Sequence, residues 1–278
     1  MSALHTFALR LDRLPPAVWL AALGAAIWPH LFWMARRFGD GSDDPLGIVA
    51  ISALVCLLWR ARRELRDAPR LGWFAAAILL VTVSCLAWQV LPPLFAALVA
   101  LPGFAAGLLA FLPARFACAP VLGLSALSLP VMASLQFYAG YPLRIVAAEL
   151  SRWLLTLAGY EVEREGVALT VDGQLVLVDA ACSGVQLVWF GYFTACTAAL
   201  LVGCGSVRFL RRLPVAGALI LAGNVLRNAV LVAAQADGRP LAGWLHEGIG
   251  LVTLAVVCGL IFRTMRGAAS DVAERSQQ

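Results

Sequence analysis

A thiol, a guanidinium and an imidazole stand at or near the ends of three apolar stretches in the last half of this 278-residue chain: Cys182, Arg227 and His246. Cys182 lies in "DAACSGVQ", residues 179–186, where a β-prone run gives way to a long apolar one. A cysteine there could be a small apolar filler, half of a disulfide or a nucleophile. The exposed N–H groups and dipole of a helix N-terminus stabilise a thiolate, and a neighbouring His or Arg lowers the thiol pKa further. Arg227 sits inside an apolar stretch, where a guanidinium costs several kcal/mol unless it meets a cavity or a partner.

Each residue has a plainer alternative. Arg227 could snorkel to headgroups, or pair with Glu247 or Asp179 to hold helices together. Asn224 and Asn228 flank it and could orient it, although interhelical glue is the favoured reading of both. A histidine at a helix end is often only interfacial, so His246 draws its interest from sharing a depth with Cys182 and Arg227. For Cys182 the disulfide reading is weak. There is no Cys-x-x-Cys among the seven cysteines, and Cys196 and Cys204 lie roughly 21 and 33 Å further along the same expected helix. Cys56, Cys85, Cys118 and Cys258 fall within apolar runs, where cysteine behaves as a small hydrophobe. Gly184, two residues on, would allow another backbone or a substrate strand to approach. One His and one Cys do not make a metal site, so neither a metal nor any other cofactor is expected.

The elements that must position these groups are read from hydropathy. Hydrophobic residues make up 62% of the chain and charged residues 13%, more apolar surface than a soluble domain of this size could cover. The apolar blocks are about the length that crosses a hydrocarbon core of roughly 30 Å. The expected fold is an all-α polytopic membrane protein of about eight transmembrane helices, at 16–35, 45–59, 71–90, 93–112, 117–137, 183–203, 214–235 and 245–262. Pro102, Pro120 and Pro130 make kinks or a merged pair possible in the fourth and fifth. The first block follows Arg10 and Arg13 without a convincing cleavage site, so it is expected to remain as an anchor.

Every basic residue is Arg, and the arginines cluster between apolar blocks, a positive-inside pattern that explains the pI near 9.0 better than nucleic-acid binding does. Arg60, Arg62, Arg63, Arg66 and Arg70 mark one inside loop and Arg208, Arg211 and Arg212 another, with Arg263 and Arg266 opening the tail. Alternate threading then leaves both termini in the cytoplasm. Arg36 and Arg37 dissent, but they sit beside Asp40, Asp43 and Asp44. One integral membrane domain, 1–278, is expected, with a five-helix part at 1–137, an extracytoplasmic segment at 138–181, a three-helix part at 182–265 and a cytoplasmic tail at 266–278. Within 138–181, apolar residues from Leu143 to Leu157 recur at helical spacing, as in a short interfacial helix. "VALTVDGQLVLV", 167–178, reads as a β-hairpin turning at Asp172-Gly173.

"ACSGVQ" at 181–186, "NVLRNAV" at 224–230 and "HEGIG" at 246–250 resemble, in this order, the signature segments of the exosortase/archaeosortase family. "YPLR" at 141–144, with Arg144, and "VDGQLVLVDAACSG", with Asp179, resemble the stretch leading to that family's cysteine. The resemblance implies a membrane-embedded cysteine protease or transpeptidase of the bacterial cytoplasmic (inner) membrane, acting on its extracytoplasmic face. It implies Cys182 as nucleophile, with Arg227 and His246 as the family's arginine and histidine; Asn224, Gly184, Arg144 and Asp179 are the candidate substrate-binding or supporting residues. The implied partners are membrane lipids and exported proteins ending in a recognition motif such as Pro-Glu-Pro, a transmembrane helix and an Arg-rich tail. A thiol oxidoreductase would need paired outer cysteines, which are not visible. The alternative is a non-enzymatic membrane carrier or scaffold with Arg227 as an anion site, although the matching halves common in transporter folds are not visible.

Overall fold

The computed structural model describes residues 14–41, 43–177, 183–236 and 242–275. By its internal contacts the chain divides into two compact units, residues 1–130 and 131–278.

Among its described residues the first unit holds six helices: α1 (Pro16–Ala26), α2 (Trp28–Gly39), α3 (Leu46–Ala61), α4 (Leu71–Ala87), α5 (Pro93–Phe111) and α6 (Cys118–Leu127). The span expected at 16–35 is two helices bent by 68°. Pro29 explains the break. It has no N–H to return to Ala25, so α1 stops at Ala26, and Pro29 is tolerated in the first turn of α2, where that N–H is unused. Arg37 pairs with the buried carboxylate of Asp43 at 3.4 Å, which accounts for its place away from the other arginine loops. The Arg70 guanidinium, at the N-cap of α4, donates to the Leu109 and Leu112 carbonyls at the end of α5 (2.6 and 2.9 Å). Carbonyls orphaned at a helix C-terminus thus gain a cationic cap. Arg115 also pairs with Glu64, so the arginine-rich loop before α4 and the loop after α5 share one end of this unit.

The second unit contains α7 (Met132–Leu157), strands β1 (Val162–Glu165), β2 (Ala168–Val171) and β3 (Gln174–Leu177), then α8 (Val185–Leu201), α9 (Ser206–Gln235) and α10 (Gly243–Arg275). The interfacial helix expected from 142 is not a separate element. The chain breaks instead at Ser128–Val131, ahead of the end expected at residue 137, and α7 runs unbroken through Pro142. A proline there frees only the Tyr138 carbonyl, and Tyr138 and Tyr141 are both exposed beside it. α9 starts eight residues before the expected 214, carrying Arg208, Arg211 and Arg212 on its first turns and Pro214 inside. α10 continues past 262 to Arg275, through most of the segment expected as a tail.

The hairpin forms as expected. Asp172 (φ 46°) and Gly173 (φ 81°) both take the positive φ of a type I′ turn between β2 and β3. Its neighbour β1 escapes the sequence pattern because Val-Glu-Arg-Glu has no apolar alternation; it is held by pairing with β2 and by Arg164, which donates to Glu149 of α7 at 2.6 Å. The inner face of the sheet, Leu169, Val171 and Val176, packs on Ala148 and Leu155 of α7, on Ala229, Leu231 and Val232 of α9, and beside Ile249 of α10. α9 and α10 approach closely at Gly223, where a Cβ would fall 2.3 Å from Val257.

Among the described residues, α5, α9 and the Gly243–Gly267 part of α10 are long and apolar enough to cross a membrane, and two bent helix pairs raise the number to five. The expectation of about eight spans is therefore met only in part. The apolar helices α3, α4 and α8 have 16, 17 and 17 residues. At 1.5 Å per residue they reach about 24 to 26 Å, short of a core of roughly 30 Å. The protein is a mostly helical membrane protein with a small antiparallel sheet.

Candidate active site

α9 supplies the centre of the site. Asn224 and Asn228, four residues apart and so on one face, are both buried, while Arg227 lies at the flank of that face and turns toward α10. Its Nη2 stands 3.5 Å from His246 Nε2. The guanidinium lies along α10 as far as Gly250, where a Cβ would sit 3.5 Å from Arg227 Nε. Gly250 and His246 are four residues apart, so one face of α10 presents both. A guanidinium has donors only. In a hydrogen bond between the two, His246 Nε2 is thus the accepting atom. At 3.5 Å the contact is long, and a better partner could draw the imidazole away.

α8 brings the second part. Cys182 and Asp179 lie outside the described residues; the description resumes at Ser183, the residue that follows Cys182 in the chain. Buried Ser183 donates from Oγ to Gln136 Oε1 of α7 at 3.1 Å and accepts the Val185 N–H at 3.4 Å. Gly184 is the N-cap of α8, in the left-handed region at φ 81°. The Asn224 side chain fills the space above it, so that a Cβ on Gly184 would fall 2.7 Å from Asn224 Cγ. Asn224 precedes Arg227 by three residues on α9, one helical turn. The three motifs thus form a chain of neighbours: Gly184 against Asn224, Asn224 a turn from Arg227, and Arg227 against His246.

This packing makes Gly184 a sensitive position. Gly184→Ala combines a left-handed backbone with a clash against a buried amide, a penalty of roughly 1 to 3 kcal/mol from the backbone alone. The expected outcome is a lower melting temperature of the detergent-purified protein, together with loss of activity. An unchanged melting temperature would show that α8 starts differently.

Arg144 stands apart. On α7 its guanidinium lies over the Tyr141 ring at 5.7 Å, and its buried Nε has no hydrogen-bond partner among the described residues. Its neighbour Leu143 instead lines an apolar groove of about 260 Å³ with Ser183, Gly184, Val188, Tyr192 and Asn224. Two contributors were missed in the sequence: Gln136, whose signal was a lone amide closing an apolar run, and Gly250, four residues after His246 in "HEGIG". Of the other thiols, Cys196 is buried within α8, Cys85 contacts the Ala26 carbonyl and Cys258 contacts Thr194. Burial pushes the Cys204 thiol up in the loop after α8, with Arg208 and Arg212 opposing. No group of three His, Cys, Asp or Glu among the described residues could hold a metal ion.

A helical membrane protein in which a guanidinium and an imidazole from neighbouring helices meet beside a polar helix N-terminus has the architecture of a membrane-embedded site. The chain belongs to the transmembrane exosortase family, whose family model matches residues 33–263 and so takes in all three motifs. No curated protein and no solved structure gives a significant match.

Proposed function

We propose that this protein is a membrane-embedded cysteine protease or transpeptidase that removes C-terminal sorting signals from exported proteins. The observation that carries the proposal is the Arg227–His246 contact at 3.5 Å, joined through Asn224 to the turn that follows Cys182. His246 takes the thiol proton, and the thiolate adds to the scissile carbonyl. Arg227 stabilises the oxyanion of the tetrahedral adduct. The C–N bond then breaks, the proton returns through His246 to the leaving amine, and a thioester remains on Cys182. An amine, another acceptor or water resolves it.

The reading extends to the surroundings. The substrate carries a short recognition motif of the Pro-Glu-Pro kind, a transmembrane helix and an Arg-rich tail, and its helix lies against α8, α9 and α10. The site faces outward from a bacterial inner membrane, and both termini are cytoplasmic. Asp179 and Asn224 support the substrate or the turn.

Deleting the gene and surveying secreted and membrane fractions by mass spectrometry tests the proposal. A set of exported proteins is expected to keep C-terminal apolar tails that the parent strain removes. An identical set of C-termini in both strains would refute it.

A further inference from the structure

The two edges of the small sheet differ. The outer edge of β1 belongs to Val-Glu-Arg-Glu, whose Arg164 is tied to Glu149 and to the Gly166 carbonyl. Charges of this kind protect an edge from pairing with another strand. The opposite edge belongs to β3, Gln-Leu-Val-Leu, with no charge at all. Among the described residues β3 has β2 as its only sheet neighbour.

The register tells which groups that edge presents. A two-residue I′ turn makes Val171 and Gln174 a mutually hydrogen-bonded pair, and such pairs recur at every second position. Leu169 with Val176 is therefore the next bonded pair, whereas Leu175 and Leu177 turn their N–H and C=O groups away from β2. The pairing of β1 agrees, since it places the peptide groups of Ala168 and Thr170 toward β1 and those of Leu169 and Val171 toward β3. Hence Leu175 and Leu177 offer two donors and two acceptors along the free edge. Leu175 is 67% exposed, its side chain on the outer face.

The position of this edge links it to the site. Val176 packs in the same cluster as Ala229 and Leu231, which closely follow Arg227, and beside Ile249, three residues after His246. Five residues lead from Leu177 to Cys182, a reach of at most about 18 Å.

From these observations we infer that the free edge of β3 is a substrate-docking edge. It takes the extended polar segment of an exported protein, just before its C-terminal apolar helix, as a fourth strand through the backbone groups of Leu175 and Leu177. The inference rests on the proposed function and specifies how substrate is held. An extended peptide suits the edge because recognition by strand addition uses main-chain hydrogen bonds, leaving alternate side chains to give specificity. It also sets a peptide bond in the stretched conformation, open to attack from one side. The added strand would lie about 4.8 Å from β3.

The test uses the full chain in cells. A photoreactive benzoylphenylalanine replaces Leu175 in a Cys182→Ala background, so that substrate is bound and not consumed, and adducts are mapped by mass spectrometry. Adducts are expected within about ten residues before the C-terminal apolar helix of exported proteins, and at least tenfold fewer from the same probe at Glu163 on β1. Adducts only with lipid or with a second copy of this chain, equal yields at both positions, or no adduct would overturn the inference. A companion variant, Leu175→Pro with Cys182 intact, removes an outward N–H but no bond to β2; processing should fall at least tenfold at unchanged protein level. Should that variant fail to accumulate, the adduct map decides alone. Processing in the same cells separates the two ideas: if Cys182→Ala stops processing and residue 175 captures nothing, only the docking edge falls.

Discussion

Cys182→Ala should leave the protein in the membrane at its normal level and reduce removal of C-terminal sorting signals by roughly a thousandfold or more, the scale of losing a nucleophile. The substitution deletes one sulfur atom at a helix entrance whose packing is carried by Ser183, Gly184, Gln136 and Asn224, so folding should survive it. The measurement is the fraction of a processed exported protein by mass, with the variant quantified in membrane fractions alongside. Cys182→Ser is a second arm: its hydroxyl keeps the size but ionises far less readily than a thiol, and activity should again be lost. Continued processing by the alanine variant would remove the thiol from the chemistry. Cys204 offers no rescue, because it follows the C-terminal end of α8, whereas Cys182 precedes its start.

Arg227→Lys is expected to cost about a hundredfold or more in turnover even though the charge is kept. The wild-type guanidinium reaches from His246 to Gly250 along α10, a span that suits a planar fork with several donors. An ammonium at the end of a flexible stem lacks the fixed fork that would aim a donor at the developing oxyanion beside His246. Loss of one such donor in a site of low dielectric is worth roughly 3 to 4 kcal/mol. Arg227→Ala should be at least as inactive. The check is single-turnover cleavage of a reporter bearing a C-terminal sorting signal, with the Cys182 alkylation rate followed against pH in parallel. If Arg227→Lys retained full turnover, Arg227 would be a structural cation and the oxyanion role would fall.

Much of this architecture is local in origin and was therefore readable. The apolar blocks, the arginine clusters and the Asp172-Gly173 turn depend on side-chain transfer free energies and on backbone φ preferences, both properties of neighbours in the chain. The type I′ turn appears where the residues require it. So do the helices bearing Arg227 and His246, and the three motifs could be named before any fold was known. Helix limits were less legible. A hydropathy window cannot tell whether Pro142 will be absorbed or Pro29 will break a helix, because the answer depends on what covers the freed carbonyl. For the same reason α7 emerged as one helix in place of a span and a separate interfacial segment, and three apolar helices proved shorter than a bilayer core.

By itself, then, the sequence determined a helical membrane protein, its family resemblance, and the residue types available for acyl chemistry. Only the tertiary structure decided that Arg227 meets His246, that Asn224 closes over Gly184, that Gln136 holds Ser183, and that Arg144 turns instead to Tyr141. It also decided that an unremarkable charged run becomes β1, leaving β3 at the opposite edge of the sheet. The physical reason is the range of the forces involved. Hydropathy and turn propensity are summed along a few residues, whereas helix rotation and strand pairing minimise voids and unpaired polar groups across segments up to about a hundred residues apart.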